Sequence, residues 1–125
     1  MVLVDTSVWI AHFRHVNHTL SALLNTDQVA CHPFIVAEIA CGTPPHRART
    51  LAGLGYLQQL ELTTIPETIA AIETRQWFGR GCGLVDLSLL AAVLAHPGLQ
   101  LWTLDKRQAA LATELGIAFR PPLDS

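Results

Sequence analysis

The sequence predicts an α/β fold with a parallel sheet. Short aliphatic runs alternate with longer helical patterns, and turn or cap residues separate them. The first run, Val2-Leu3-Val4, is apolar on both faces, as a buried central strand requires. Val2 to Val4 is therefore the first strand. Ser7 to Arg14 and Thr19 to Asn25 read as two helices joined by a polar bend. Gln28 to His32 is a weaker second strand. The helix Phe34 to Cys41 follows Pro33 and stops at Gly42-Thr43-Pro44-Pro45. His46 to Gln59 spaces Ala48, Leu51, Leu54 and Leu57 three apart, although Gly53 and Gly55 oppose a helix there. Leu60 to Ile65 alternates as a third strand and ends at Pro66, after which Glu67 to Phe78 begins a helix. Asp86 to His96 is an apolar helix closed by Pro97-Gly98, and Leu99 to Leu104 is the fourth strand. Lys106 to Leu115 lies between Asp105 as N-cap and Gly116 as the residue past its end. Ile117 to Phe119 is a short fifth strand before Pro121-Pro122.

Composition narrows the class. A chain of 125 residues and 13.6 kDa reads as a single domain over residues 1–125. At that length about two-thirds of the unfolded surface is buried. Hydrophobic residues at 50% against 14% charged exclude disorder. The net charge of −2 lacks the basic excess of a generic nucleic-acid binder. The longest apolar run, Leu89 to Ala95, is far short of the roughly 20 residues of a spanning helix, so no membrane is expected. The opening MVLVDTSVWI has no basic stretch before its apolar one and does not read as a signal peptide. Cys31, Cys41 and Cys82 are odd in number and lack a C-x-x-C, which argues against disulfides and zinc and for a reducing cytoplasm. Cys41 and Cys82 read as small buried hydrophobes, and Cys31-His32 as core and loop.

Four acids stand in apolar company. Asp5 is the only charge in the first eleven residues, and Glu38 the only one between Asp27 and Arg47. Asp86 lies inside Gly-Leu-Val-Asp-Leu-Ser-Leu-Leu, and Asp105 closes Leu-Gln-Leu-Trp-Thr-Leu. Glu38, in mid-helix with no polar face, is expected to turn inward. An ionised carboxylate buried alone costs several kcal/mol or neutralises. A hard divalent cation, Mg²⁺ or Mn²⁺, is the partner that selects oxygen ligands. Asp5 and Asp105 both follow strands, and in an open parallel sheet ligands bind at the strand C-termini where the strand order reverses. Capping is the competing explanation for Asp5, Asp86 and Asp105; for Glu38 it is an exposed stripe or an arginine pair. His12, His15 and His18, three apart, read as solvent-exposed because the bend at Asn17 interrupts their helix.

The motifs Val-Leu-Val-Asp5-Thr6-Ser7-Val8-Trp9, Phe-Ile-Val-Ala-Glu38-Ile, Gly83-Leu-Val-Asp86-Leu-Ser-Leu-Leu-Ala-Ala and Leu-Trp-Thr103-Leu-Asp105-Lys-Arg occur in order across the chain. Together they resemble PIN-domain ribonucleases, especially the VapC-type toxins. The resemblance implies a three-layer sandwich with a parallel sheet of four to five strands in the order 3-2-1-4-5. It implies a Mg²⁺- or Mn²⁺-dependent endoribonuclease toxin of a type II toxin–antitoxin pair, in the bacterial cytoplasm. Asp5 and Asp86 are then the direct metal ligands. Glu38 and Asp105 ligate through water or orient the nucleophilic water, while Ser7, Thr6 and Thr103 hydrogen-bond to the ligands. The implied products, a 3′-hydroxyl and a 5′-phosphate, fit water made nucleophilic by the metal. A VapB-type antitoxin, whose C-terminal segment would enter the groove beside the first helical pair, and a homodimer are implied as well. Arg80, Lys106 and Arg107 flank the acids and are candidates for RNA binding. The family often carries an aromatic residue soon after its fourth acid; Ala109 and Ala110 stand there instead. The alternatives are a catalytically silent PIN fold that binds RNA or protein, and a phosphotransfer domain. The latter is disfavoured by Ser7 where a second Asp is needed and by the lack of an acid at Thr63-Thr64-Ile65.

Overall fold

The computed structural model describes residues 1–122; the last three residues of the expected 1–125 domain lie outside the described residues. In chain order the elements are β1 (Val2–Val4), α1 (Thr6–Arg14), α2 (His18–Asn25), β2 (Val29–Cys31), α3 (Pro33–Ala40), α4 (Arg47–Gly55), β3 (Gln58–Gln59), α5 (Ile65–Arg75), α6 (Leu84–Leu94), β4 (Gln100–Trp102) and α7 (Lys106–Glu114). The four strands pair in parallel in the order β3-β2-β1-β4. β1 is central because it can be: all three of its residues are buried. Its register sets Leu3 opposite Ala30 on one side and Leu101 on the other.

The order of the strands reverses between β1 and β4. Parallel connections cross over right-handedly, so helices before and after that reversal cover opposite faces. In keeping with this, α3 packs on α1 and α4, while α6 packs on α5 and α7. α6 is apolar nearly all round and has Leu87, Leu89, Leu90, Ala92 and Val93 buried. It is the inner helix of its layer.

Two elements differ from the sequence reading. The third strand is Gln58–Gln59, not Leu60 to Ile65. The glycines end α4 at Gly55, and the chain then pairs with β2, with the Leu60 N–H donating to the Cys31 carbonyl at 2.8 Å. Backbone pairing at the sheet edge selects this segment, and its glutamine side chains stay exposed. The fifth strand is a single parallel bridge, Leu101 to Ala118, on the outer side of β4. It lies where a fifth strand belongs, but Pro121 and Pro122 have no N–H with which to extend the ladder. Trp77 is buried in the core, whereas Phe78 is exposed. Cys41 is exposed and Cys82 half-buried, contrary to the buried sites expected for both, because each sits beyond a helix end in a glycine-containing segment. Among the described residues no helix is long and apolar enough to cross a membrane.

Candidate functional site

The strand reversal places Asp5 beside the residues that follow β4. The Asp5 N–H donates to the Trp102 carbonyl at 2.9 Å, continuing the β1–β4 ladder by one bond. The Asp5 side chain is buried, caps α1, and gathers its bonds on a single oxygen. Oδ2 accepts from the Ser7 N–H at 3.1 Å, the Ser7 hydroxyl at 2.6 Å and the Thr103 hydroxyl at 3.1 Å. Each hydroxyl accepts in turn from a backbone N–H. Leu104 donates to Ser7 Oγ at 3.0 Å, and Asp105 donates to Thr103 Oγ1 at 3.1 Å. Two relays therefore run from the α7 approach into Asp5, each polarised along its length.

Removing one relay has a defined cost. Thr103→Val leaves Asp5 with one donor fewer, and hydrogen bonds to charged groups are worth about 1.5–3 kcal/mol. We expect urea denaturation to show a loss in that range for Thr103→Val and for Ser7→Ala. The double variant should lose less than the sum, because both bonds end on the same atom. An unchanged midpoint for Thr103→Val would show that Asp5 does not depend on this network.

The other three acids share one design with Asp5. Glu38 Oε1 accepts from the Thr6 hydroxyl at 2.6 Å, tying α3 to the start of α1. Asp86 Oδ2 reaches back to the Gly83 N–H at 3.4 Å at the start of α6. Asp105 Oδ1 caps α7, accepting from the N–H groups of Arg107 and Gln108 at 3.0 and 2.9 Å. In each of the four carboxylates one oxygen is anchored, and the other has no hydrogen-bond partner among the described residues. Glu38 does not turn inward as expected. It is exposed, because α3 packs through Ile35 and Ile39 and leaves position 38 at the open edge of the sheet.

The four acids feel one another. Desolvation chiefly, and then the charges of Asp5, Asp105 and Glu38, push the Asp86 carboxyl above its ordinary value. No Lys or Arg neutralises any of them, since the only salt bridge among the described residues joins Arg80 to Glu114. The donor set is hard oxygen throughout, which suits a divalent cation of the Mg²⁺ class. Even so, no three of the described acidic, histidine or cysteine side chains stand close enough to enclose an ion. Like charges repel, and each acid is held by its own local donor.

Residues 2–114 match the PIN domain family. The chain belongs to that family. Its kinship lies with the VapC type, as two relatives show. The protein named Ribonuclease VapC32 from Mycobacterium tuberculosis, strain CDC 1551 / Oshkosh, is 42% identical over 118 residues, covering 94% of this chain and 95% of that one. Ribonuclease VapC32 of strain ATCC 25618 / H37Rv matches equally, at 42% over 118 residues. The crystal structure of PAE2754 from Pyrobaculum aerophilum has the same fold, with a TM-score of 0.62 at 19% identity over 92% of this chain and 94% of that one. Membership of the PIN family implies dependence on a divalent metal.

The cations around this PIN site differ in availability. Arg80 is paired with Glu114 on α7. Lys106 and Arg107 open α7 and are exposed. Arg107 lies along Gly81, where a Cβ would meet its Cδ at 2.7 Å, and Gly81 has φ of +82°. Only glycine suits that position. Gln108 was not singled out from sequence. It is fully buried and donates to the Asp86 carbonyl at 3.3 Å, which locks α7 to α6 and sets Asp105 relative to Asp86. Its signal was the capping pattern Asp105-Lys-Arg-Gln108, although here the glutamine leaves its own helix.

Proposed function

We propose that this PIN domain is a Mg²⁺- or Mn²⁺-dependent endoribonuclease toxin of a type II toxin–antitoxin pair. It acts in the bacterial cytoplasm as one domain, pairs with a second copy, and is silenced by a VapB-type antitoxin. The observation that supports this best is the set of four uncompensated carboxylates at the strand reversal, each anchored through one oxygen. The family and the 42% identity to a protein named a ribonuclease set the reaction class.

A divalent cation held by these acids would supply Lewis acidity toward the scissile phosphate and would lower the pKa of water. The protein's own part is positioning. Asp5 and Asp86 offer their unanchored oxygens as ligands, and Ser7 and Thr103 fix the plane of the Asp5 carboxylate. Glu38, braced by Thr6, and Asp105, braced by the start of α7, orient the attacking water and take its proton. The P–O3′ bond breaks as the water oxygen bonds to phosphorus, and the departing 3′-oxygen takes a proton from solvent, which leaves a 3′-hydroxyl and a 5′-phosphate. Lys106 and Arg107 meet the RNA backbone.

Induced expression of the wild type and of Asp5→Ala tests the reading, with total RNA mapped for new 5′-phosphate ends. The wild type should arrest growth and generate a discrete set of ends, and Asp5→Ala should do neither. Identical RNA and growth for the two proteins would refute the nuclease and leave a silent binding module.

A further inference from the structure

We propose that the cleft between the end of α1 and the Gly42–Pro45 turn is the subsite for one nucleotide of the RNA strand flanking the scissile phosphate. In this assignment Arg14 binds that nucleotide's phosphate, and Ile10, Phe13 and Pro44 receive its base. This inference rests on the nuclease reading above.

Position is the first argument. The cleft, of about 400 Å³, is lined by Glu38, so it runs directly out of the acidic centre. Glu38 belongs both to the acidic set and to the cleft, so a strand whose phosphate meets the acids has a path into it past this residue. The volume falls within the range of about 300–1,000 Å³ typical of small-ligand pockets, enough for a nucleoside.

Chemistry is the second. Glu38 is the one acid lining the cleft and Arg14 the one cation. Arg14 is exposed and has neither an ion pair nor a hydrogen bond from its side chain among the described residues. A guanidinium free of protein partners and next to a phosphodiester site complements the RNA backbone. The remaining walls are apolar: Ile10 is 36% exposed at the rim, and Phe13 and Pro44 are half-buried. Unstacked bases of single-stranded RNA seek such surfaces.

Rigidity is the third. The far wall carries two consecutive prolines, Pro44 and Pro45. Arg47 clamps it by donating to the carbonyls of Gly42 at 3.3 Å and Ala40 at 2.7 Å, and the Thr50 hydroxyl donates to the Pro45 carbonyl. Arg47 thereby directs two of its donors at the wall, and Arg14 is the cation that lines the cleft itself. A wall held in this way is preorganised, which favours selection over adaptation.

The test is binding of a mixed-sequence single-stranded RNA of about 12 nucleotides, followed by fluorescence anisotropy with Ca²⁺ in place of Mg²⁺, across a range of salt. Arg14→Gln should weaken binding about fivefold to twentyfold and reduce the log–log salt slope by about 0.7, the increment for one phosphate contact on a single strand. Ile10→Ser should weaken binding severalfold and leave the slope unchanged, because an apolar contact releases no counterion. Arg49→Gln, on the exposed surface of α4 outside the cleft, should change neither quantity. Thermal melts of all three should match the wild type. The proposal is overturned if Arg14→Gln binds like the wild type, or if Arg49→Gln loses as much. It is also overturned if Arg14→Gln affects only a protein partner, since the cleft is then a protein groove. A wild type that binds RNA through Arg14 yet cleaves none in Mg²⁺ refutes the nuclease reading and leaves the subsite standing. A wild type that cleaves, with Arg14→Gln indistinguishable in binding, refutes the subsite alone.

Discussion

Asp86→Asn gains stability and loses activity. In the absence of divalent cation at neutral pH, it melts above the wild type; with Mg²⁺, it cleaves RNA at least about a thousandfold more slowly, the scale set by the several kcal/mol a metal site contributes to a developing charge. The two signs have one cause. Desolvation and the charges of Asp5, Asp105 and Glu38 oppose ionisation of Asp86. An amide removes the desolvated charge and the repulsion, and its oxygen still accepts from Gly83. In the proposed reading it also removes a metal ligand. Residues that hold charge for function commonly destabilise the fold that carries them. Melting curves in EDTA together with single-turnover cleavage check both halves. A variant that is slower and also less stable would show that Asp86 serves the fold and not a metal.

The sequence made the acids visible because they break a pattern. Asp5 and Asp105 interrupt apolar runs at strand ends, and a parallel sheet brings strand ends to one edge. Their capping role and their place in the site coincide: Asp5 caps α1 and Asp105 caps α7 while each keeps an oxygen unspent. Capping one oxygen and leaving the other free for a ligand are therefore compatible in these two residues. Glu38 was legible as an anomaly but not in its direction. An eight-residue helix buries a stripe, and burial of Ile35 and Ile39 decides where residue 38 points. That stripe depends on where α3 meets α1, which the order of residues along the helix does not encode.

Other features were hidden for physical reasons. Gln58–Gln59 carries no strand signal, since its side chains are polar and exposed; pairing with β2 is a property of the edge it meets. The Arg80–Glu114 bridge spans 34 positions and depends on α7 lying against the loop before α6. Gln108 is a polar residue with no sequence signal for burial, yet it is buried because α7 turns that face onto α6. Position relative to the strand reversal was readable; helix rotation was not.

Mg²⁺ stabilises the folded protein, and the size of that effect grows with pH. A ligand bound only to the folded state at a hundredfold excess over its dissociation constant adds about 2.7 kcal/mol, or about 10 °C in melting temperature for a chain of this size. The pH dependence follows from Asp86. Its folded carboxyl titrates above the unfolded value of 3.8, so the folded state binds the proton more tightly between those two values. Asp86 therefore favours the metal-free fold below that window, and its contribution declines as pH rises through it, when the folded carboxylate ionises among its neighbours. A cation competes with that proton for the same oxygens. Below the window it must displace the proton and gains little; above it, ionised acids meet the ion and the full increment appears. The difference in melting temperature between Mg²⁺ and EDTA should thus widen as pH rises through that window, and should shrink in Asp5→Asn at every pH. An increment independent of pH and equal in Asp5→Asn would mean that Mg²⁺ binds elsewhere, and the four carboxylates would lose their claim to it.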